Sequence, residues 1–362
     1  MSKVIGVLGA TGLVGIGAVE NLLLQSNIDI LIGCRNVEKA KKIYGDEIKE
    51  KIIEVDIFNL KALKEFCNKC DIVINCAGPS AKVLNIVADT CIDLGKDYID
   101  VSGDKDIYNS LVNKAKDIED KNILCLIGAG AYPGLTEIFP SFVANKYFDN
   151  VEKLEEFFAG CGQFSENAAY DIVSSIEKNQ GYGMCYCRDG KLEKIKDNLH
   201  SSYELPTPAG KLDVYPVISD EFIRGISRSN IENAYFYNTY PNKDILMQFI
   251  TIKMMEQYKT EEEKRESAKA LSQKYSEGNL EYTMYIIEAS GIKDNEKLRI
   301  KASLYYEDNW NKLTGVIAAC TAILICNDNT KRGYFYASDI IKEDLLIEKL
   351  MNCKVNLDYF IQ

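Results

Sequence analysis

Val4-Ile5-Gly6-Val7-Leu8-Gly9-Ala10-Thr11-Gly12-Leu13-Val14-Gly15 is the stretch that decides how this chain begins to fold. Its β-branched and apolar residues predict a short buried strand, and the spacing that follows predicts a helix over 13–24. In the pattern G-x-x-G-x-x-G, the first glycine permits a tight turn, the second lets the backbone approach a pyrophosphate, and the third lets the helix close on the strand. Unpaired N–H groups at the helix start favour an anion, so we expect Thr11, Leu13 and Val14 beside the phosphates. The alternative is an ordinary glycine-rich turn in another α/β protein.

Strand and helix patterns alternate after this turn. Further strands are predicted at Ile28–Cys34, Lys51–Val55, Asp71–Cys76, Asp97–Val101 and Asn122–Ile127, each followed by a helical pattern, such as Ala81–Leu94 after the fourth strand. Six buried parallel strands with helical crossovers make a doubly wound α/β domain, the Rossmann fold, whose ligands bind at the carboxyl ends of the strands. At those ends we expect Asn75, Cys76, Ala77, Gly78 and Pro79 to contact the cofactor, and Ser102, Gly103, Pro133 and Gly134 to contact the substrate.

The end of the second strand indicates which nicotinamide cofactor is bound. Arg35 follows that strand, with Asn36 beside it and Lys39 one helical turn further on. An acidic residue here bonds the ribose 2′-hydroxyl of NAD, whereas a cation accommodates the 2′-phosphate of NADP. A guanidinium can form two hydrogen bonds to a phosphate, so we predict NADP(H) as the cofactor. The alternative is that Arg35 only extends into solvent at the end of the strand. Asp56, after the third strand, either lies near the adenine or caps the next helix.

The pattern changes after Gly134. Polar and apolar residues alternate over longer stretches, which predicts strands with one solvated face at Val151–Ala159, Tyr182–Arg188, Glu232–Tyr237, Tyr282–Ala289 and Leu298–Tyr306. We expect an α+β substrate domain with an antiparallel or mixed sheet, which also forms a homodimer. Ser165 and Asn167 would cap a helix of this domain while facing the substrate. From Trp310 the chain turns helical and should return to the first domain, so the predicted domains are 1–130 with 310–362, and 131–309.

The composition excludes several kinds of partner. A formal net charge of −11 disfavours nucleic acid and anionic membranes, since both require a basic face. The start lacks a signal-peptide pattern and the longest apolar run, 315–326, is too short to span a bilayer, so we expect a cytoplasmic protein. The twelve cysteines are too dilute for a disulfide scaffold, and the pair Cys67 and Cys70 lacks the other ligands of a zinc site. The single histidine, His200, is expected at the surface, and we expect no bound metal.

Five segments together resemble the saccharopine dehydrogenase-like, or saccharopine reductase-type, family: 9–15, 33–35, 75–79, 98–104 and 133–136. The resemblance covers residues 1–140 well and is weaker beyond them. It implies an NADP-binding Rossmann domain, a substrate domain inserted before a C-terminal return, and hydride transfer to or from a carbon bonded to nitrogen. Members reduce imines formed from an amine and a carbonyl compound, while some relatives reduce C=C or cyclic C=N bonds in biosynthetic intermediates. Ser102-Gly103-Asp104 departs from the Ser-Tyr type of motif expected in the lysine-pathway enzymes, so the substrate stays open.

Two residues at the ends of the fifth and sixth strands are candidates for a proton donor. In hydride transfer, the protein positions C4 of the nicotinamide against an electrophilic carbon and supplies a proton. Asp104 and Tyr132 lie where a general acid is needed, and the backbone of 75–79 and 130–134 should frame the nicotinamide. Alternatively, Asp104 caps its loop and Tyr132 only packs against neighbouring side chains. An iminium substrate already carries its proton and needs no dedicated acid.

Other classes of protein fit the sequence less well. A short-chain dehydrogenase needs Tyr-x-x-x-Lys, and none of the 22 tyrosines has a lysine four residues on. A semialdehyde dehydrogenase needs a nucleophilic cysteine after the sixth strand, where this chain has Gly128-Ala129-Gly130. The remaining alternative is a non-catalytic NADP-sensing regulator that kept the fold. A second domain that is larger than a sensor requires argues against it.

Overall fold

A computed structural model of the protein describes residues 3–26, 28–103, 105–178, 180–196, 200–278, 280–327 and 330–361. The chain forms two compact units, residues 1–135 with 311–353 and residues 136–310 with 354–362. No helix within the described ranges is long and apolar enough to cross a membrane.

The secondary structure alternates in the first third of the chain and becomes strand-rich later. The strands are β1 (Lys3–Leu8), β2 (Ile28–Cys34), β3 (Ile52–Glu54), β4 (Ile72–Asn75), β5 (Asp97–Asp100), β6 (Leu124–Ile127), β7 (Asn150–Cys161), β8 (Tyr182–Gly183), β9 (Cys185–Arg188), β10 (Lys191–Lys194), β11 (Ser202–Glu204), β12 (Lys211–Ile218), β13 (Ile231–Thr239), β14 (Tyr282–Lys293), β15 (Glu296–Tyr306), β16 (Gly333–Tyr336) and β17 (Val355–Ile361). The helices are α1 (Leu13–Leu23), α2 (Val37–Tyr44), α3 (Leu60–Asn68), α4 (Ser80–Val83), α5 (Ile86–Leu94), α6 (Lys105–Asn113), α7 (Ala115–Asp120), α8 (Leu135–Tyr147), α9 (Glu166–Glu177), α10 (Asp220–Ile226), α11 (Lys243–Met254), α12 (Glu261–Tyr275), α13 (Trp310–Asn327), α14 (Ala337–Ile340) and α15 (Glu343–Met351).

The first unit is built on a parallel sheet in the order β16-β6-β5-β4-β1-β2-β3. The six predicted strands are confirmed, and the doubly wound Rossmann fold with them. The strand order reverses between β1 and β4, which is where open α/β sheets bind their ligands. The tail adds β16 beside β6, which confirms that the chain returns to this unit after α13.

One predicted helix of the first unit is interrupted. The stretch expected to be a single helix, Ala81–Leu94, forms α4 and α5, because Leu84 has a φ of 48°. A residue in the left-handed region cannot continue a right-handed helix. Position 84 carries neither glycine nor proline, the usual sequence signals for a break, so the break could not be predicted from residue type.

The cysteines of the first unit lie in its core. Cys67, Cys70, Cys91 and Cys125 are all buried among the apolar residues of β4, β5, α3 and α5. Within the described ranges, no group of three or more His, Cys, Asp or Glu side chains is placed to hold a metal ion. The side chains at positions 67 and 70 therefore contribute to the packing of the core.

The second unit contains a ten-stranded sheet whose main path is β10-β9-β13-β7-β14-β15-β17. The β13–β7 pair is parallel and the other pairs along this path are antiparallel, so the sheet is mixed. The predicted boundary placed the whole tail in the first domain, but residues 354–362 belong to the second unit. The reason is that β17 pairs along its full length with β15.

Aromatic and charged side chains share one face of this sheet. The ring of Phe157 stacks between Tyr203 and Tyr237, at centroid distances of 3.9 and 4.9 Å. His200 Nε2 lies 3.1 Å from Glu155 Oε1, and its ring meets Phe157 edge-on. His200, expected at the surface, is therefore partly buried against the sheet, where it helps to hold the segment before β11.

The opposite face of β7 carries a buried carboxyl group. Glu156 is fully buried, and neither of its side-chain oxygens has a hydrogen-bond partner within the described ranges. Burial raises the pKa of Glu156 well above its usual value, and the nearby charge of Glu137 raises that pKa further. Glu137 lies in the first turn of α8 and accepts a 2.7 Å hydrogen bond from the Thr136 hydroxyl. Burial and this neighbour therefore both favour the protonated form of Glu156.

We predict that Glu156→Gln changes how the stability of the protein depends on pH. Because the folded-state pKa of Glu156 is raised, its contribution to stability is complete below the unfolded pKa of about 4.3 and is lost as pH rises towards the folded value. The stability of the Glu156→Gln variant relative to the native protein should therefore increase with pH, by up to about 1.4 kcal/mol per pH unit. Thermal unfolding measured at a series of pH values checks this. Glu152→Gln, an exposed position on the same strand, is the matched control and should follow the native curve; parallel curves for Glu156→Gln would contradict the prediction.

Candidate cofactor site

The turn between β1 and α1 is shaped by contacts that exclude side chains. Gly9 has a φ of 74°, and a Cβ there would lie 2.6 Å from the backbone of Cys76 and Ala77 at the end of β4. A Cβ on Gly15 would lie 2.4 Å from the Gly9 carbonyl oxygen. Real Cβ atoms do not approach so closely, so these positions accept only glycine. The turn therefore has the tight geometry that the sequence predicts.

Gly12 differs from its two neighbouring glycines because a side chain there would meet open space. An added Cβ would have a single neighbour within 4 Å, the Gly9 carbonyl oxygen at 3.5 Å. Gly12 is also the N-cap of α1, and no side chain caps the helix at this end. The first N–H groups of α1 therefore face a cradle that a Cβ at position 12 would fill, which fits a pyrophosphate on the positive end of the helix dipole.

The basic residues after β2 lie next to this turn. Gly33, inside β2, accepts a 3.2 Å hydrogen bond from the N–H of Ala10, which links the two strand ends. Arg35 is exposed, and its guanidinium has no hydrogen bond or ion pair within the described ranges. Asn36 caps α2 by accepting a 2.8 Å bond from the N–H of Lys39. The guanidinium of Arg35 is thus exposed at the end of β2, and its contact with a 2′-phosphate stays a prediction.

Two further polar side chains, those of Asp56 and Tyr44, form hydrogen bonds to loops at this edge of the sheet. The carboxylate of Asp56 accepts a 3.0 Å bond from the N–H of Phe58, so it holds the loop before α3. The hydroxyl of Tyr44 donates to the carbonyl of Ala10 within the turn. Burial raises the pKa of Tyr44, and the charge of Glu20 adds to this effect, so the hydroxyl stays a donor. The sequence analysis missed Tyr44, because its role depends on how α2 packs rather than on any local motif.

A buried network joins the ends of β4 and β5. The carboxylate of Asp100 accepts hydrogen bonds from Asn75 Nδ2 at 2.9 Å, from the Ser102 N–H at 2.7 Å, and from the Tyr98 hydroxyl. The side-chain oxygen of Asn75 in turn accepts a 3.2 Å bond from the N–H of Ala77. Burial raises the pKa of Tyr98, and the charge of Asp100 raises it further. Asp100 therefore fixes the loops that start at residues 75 and 102.

The segment after β6 forms a compact turn on the same rim. The N–H of Gly130 bonds the carbonyl of Pro133 at 3.2 Å, and the N–H of Leu135 bonds the carbonyl of Gly130 at 2.9 Å. Thr314 on α13 accepts a 3.2 Å bond from the N–H of Ala131. Tyr132 projects from this turn with 39% of its surface exposed. Tyr132 therefore lies partly outside the core, and its role as a proton donor stays a prediction.

The remaining predicted residues are distributed as follows. Gly128 donates a 2.7 Å bond to the carbonyl of Ser102, which places Ser102 and Gly103 beside the turn after β6. Asp104 lies outside the described residues. In the second unit, Ser165 caps α9 by accepting a bond from the Ala168 N–H, as predicted, and Asn167 lies in the first turn of that helix. Contact of any of these residues with a substrate stays a prediction.

Comparison with known proteins also indicates an NADP-binding domain. Residues 5–126 match the family model described as the saccharopine dehydrogenase NADP binding domain. A carboxyaminopropylagmatine dehydrogenase from Synechocystis is 28% identical over 188 residues, which are 49% of this chain and 46% of that protein. This chain's match thus spans about half the length of its curated relative.

Solved structures show the same fold across the chain. The apo saccharopine dehydrogenase (L-Glu forming) from Saccharomyces cerevisiae superposes with a TM-score of 0.69 at 13% identity, covering 99% of this chain and 100% of that one. A mutant meso-DAPDH from Clostridium tetani gives a TM-score of 0.50 at 14% identity, covering 97% of this chain and 99% of that one. At these identities the likeness concerns the fold alone.

The first unit is an NADP-binding Rossmann domain, and its cofactor is NADP(H). The likeness to the saccharopine dehydrogenase family concerns this NADP-binding domain, where four of the five sequence segments lie.

We predict that Asp100→Asn weakens both the fold and the binding of NADPH. The substitution keeps the size of the side chain but replaces one acceptor oxygen with an NH₂ group, which faces donors from Tyr98, Asn75 or Ser102. Loss of such a buried bond should lower the free energy of unfolding by about 1–3 kcal/mol and raise the NADPH dissociation constant roughly tenfold. Denaturant unfolding and calorimetric titration measure the two effects. Tyr98→Phe removes one donor and leaves the carboxylate in place, so it should do less; equal behaviour of Asp100→Asn and the native protein would disprove the network's role.

Proposed function

We propose that this protein is an NADP(H)-dependent oxidoreductase that transfers hydride to a C=N bond of an amino-acid-derived imine, in the manner of saccharopine reductases. The observation that carries the proposal is the N-terminus of α1, left open at Gly12, with Arg35 at the end of the neighbouring strand and without a hydrogen bond or ion pair among the described residues, inside a domain that matches an NADP-binding family. The names of the yeast and Synechocystis proteins describe dehydrogenases, which supports the reaction class.

The substrate is proposed to combine an amine with a carbonyl compound. The Synechocystis relative is called a carboxyaminopropylagmatine dehydrogenase, a name that describes an agmatine derivative carrying an amino and a carboxyl function. The net charge of −11 favours attraction of a cationic amine over an anionic one. We therefore place basic amines first among the candidates for one half of the imine.

Different residues of the first unit would orient the nicotinamide and donate the proton in such a reaction. Bound NADPH supplies the hydride from C4 of its nicotinamide. The loops after β4 and after β6 would orient the nicotinamide through backbone groups, because Asn75 and Asp100 hold the first of these loops and the Gly130 turn shapes the second. Tyr132, exposed on the rim, and Asp104 are the proposed proton donors. Ser102, Gly103, Pro133, Gly134, Ser165 and Asn167 are the proposed substrate contacts.

The cellular setting is also part of the proposal. All twelve cysteines are free thiols, and several of them are packed in the core, as in proteins that work in a reducing compartment. We propose a cytoplasmic enzyme that forms a homodimer through the sheet of its second unit.

We predict that Arg35→Asp shifts the preference from NADPH towards NADH. The substitution replaces the cation that faces the 2′-phosphate with a carboxylate, which repels that phosphate and can bond a 2′-hydroxyl instead. The ratio of NADPH to NADH affinity should fall at least tenfold, as measured by titration of each dinucleotide. Lys42→Asp makes the same change of charge on α2, the helix that follows Arg35, at an exposed position outside the predicted contacts, and should leave the ratio within about twofold. An unchanged ratio in Arg35→Asp would place the 2′-phosphate elsewhere.

The reaction class is tested by following NADPH oxidation with a panel of amine and carbonyl pairs. Pairs of a basic amine with an amino-acid semialdehyde or a 2-oxo acid should turn over, and either partner alone should not, because the imine forms from both. Turnover of a single C=C or preformed cyclic C=N substrate would favour the alternative reductase. Tight NADPH binding without turnover on any member of the panel would favour a non-catalytic NADP sensor.

A further inference from the structure

We propose that Cys320 and Cys353 form a redox-active thiol pair, in which a hydroperoxide oxidises Cys353 and Cys320 then closes a disulfide bond with it. Both residues belong to the first unit, where Cys320 lies in α13 and Cys353 follows α15. The proposal concerns oxidation of the protein itself. It therefore goes beyond the proposed reductase activity, and the two proposals can fail separately.

The first observation is the distance between the two sulfur atoms. Cys320 Sγ and Cys353 Sγ lie 3.7 Å apart, in a thiol–thiol hydrogen bond, although the residues are 33 positions apart in the sequence. A disulfide bond holds its sulfur atoms about 2.05 Å apart, so these two would have to approach by about 1.7 Å. An approach of this size is within the range of side-chain rotation. The fold therefore brings the two thiols close enough to react.

The second observation is that solvent reaches one member of the pair. Cys353 is partly exposed, whereas Cys320 is fully buried. Oxidants in solution react with exposed thiols, and buried thiols are inert towards them. Cys67 and Cys91 also share a side-chain hydrogen bond, but both are buried in the core. Exposure therefore distinguishes the pair of Cys320 and Cys353 from this second pair of thiols.

The third observation is the difference in acidity between the two thiols. The hydrogen bond with Cys320 lowers the pKa of the Cys353 thiol, and the charge of Lys349 acts in the same direction, against the effect of burial. The same hydrogen bond raises the pKa of Cys320, and burial raises it further. The thiolate is the nucleophilic form of cysteine. Cys353 is therefore the thiol that attacks the oxidant, and Cys320 is the thiol that resolves the product.

The chemistry balances with a hydroperoxide as the oxidant. The Cys353 thiolate attacks the terminal oxygen, the O–O bond breaks, and a sulfenic acid forms while the departing alkoxide takes a proton from water. The sulfur of Cys320 then attacks the sulfur of Cys353. The S–S bond forms, the S–O bond breaks, and the hydroxyl group leaves as water with the proton of the Cys320 thiol. The two sulfur atoms together lose two electrons, which the hydroperoxide gains, and a dithiol reverses the oxidation by thiol–disulfide exchange.

The disulfide bond would brace the part of the chain that returns to the first unit. It closes a loop that contains the second half of α13, β16, α14 and α15. At the other end of this loop, the N–H of Cys353 donates a 2.8 Å hydrogen bond to the carbonyl of Leu350, which fixes the backbone after α15. A cross-link of this kind reduces the entropy of the unfolded chain. The oxidised protein should therefore be more stable than the reduced protein.

Oxidation of the reduced full chain with hydrogen peroxide tests the pair. The remaining thiols are alkylated at a series of times, and the non-reduced peptides are identified by mass spectrometry. A peptide that links Cys320 to Cys353 should appear at least about tenfold faster than oxidation of Cys326, a partly exposed cysteine on the same helix. Dithiothreitol should remove the link. Oxidation of Cys326 without this linked peptide, or a link between Cys67 and Cys91 that forms equally fast, overturns the proposal.

Three variants test the order of the two steps. In Cys320→Ala, the oxidation of Cys353 should stop at the sulfenic acid, which dimedone traps. In Cys353→Ala, Cys320 should stay a thiol because solvent does not reach it. Cys326→Ala is the matched control and should form the link at the native rate. NADPH titration verifies that the first unit of each variant is folded, and dimedone labelling of Cys320 instead of Cys353 overturns the order.

Unfolding in urea tests the bracing role. The oxidised native protein should unfold at a higher urea concentration than the reduced protein, because the link constrains the unfolded chain. Peroxide treatment of Cys353→Ala should leave the urea midpoint unchanged. A fully linked native protein that unfolds at the same or a lower urea concentration than the reduced protein overturns the bracing role.

Discussion

The close approach of α1 to its neighbours is the constraint on which the first unit depends. A Cβ on Gly17 would lie 2.1 Å from the carbonyl oxygen of Lys312, and a Cβ on Gly315 would lie 1.9 Å from that of Val14. Helix α1 is thus in backbone contact with α13 on one side and with the β1 turn on the other. Lys312 adds an ion pair to Glu20 at 3.2 Å. Helix α1 is therefore held in place by a helix that lies almost three hundred residues later in the sequence.

This packing explains why the tail returns to the first unit. Without α13, the side of α1 that carries Gly17 would be exposed to solvent. Strand β16 completes the return, because Arg332 just before it bonds both carboxylate oxygens of Asp97 at 2.7 Å, at the start of β5. A single guanidinium nitrogen of Arg332 thus donates to both oxygens of a buried carboxylate, which ties the start of β16 to the start of β5.

The sequence predicted what local patterns determine. The strand Ile28–Cys34 matches β2 at both ends, because a buried run between turn residues has one interpretation. The break at Leu84 and the place of β17 were missed, since neither depends on local residue type. Strand β17 has five apolar or aromatic residues among its seven, but nothing in that pattern shows which sheet it joins; its pairing with β15 does.

In the candidate site, too, the residues that could be predicted are those of a local motif. The glycines and Arg35 were candidates because binding of a dinucleotide requires a particular residue type at a particular spacing. Tyr44, Tyr98 and Asp100 were not, although the last two lie within a segment that carried the family resemblance. Their hydrogen bonds join elements that are distant in the sequence, and a tyrosine or aspartate in a strand gives no sign of such partners.

The charge of the chain shapes how the cofactor is held. A net charge of −11 repels a dinucleotide phosphate at long range, but at physiological ionic strength this repulsion is screened beyond about 8 Å. Within that distance, the N–H groups of α1 and the guanidinium of Arg35 are the groups that we propose to act on the phosphates. Selectivity for NADP(H) over NAD(H) would then rest on a few short-range contacts. An acidic protein can hold an anionic cofactor in this way while its overall field still attracts a cationic amine.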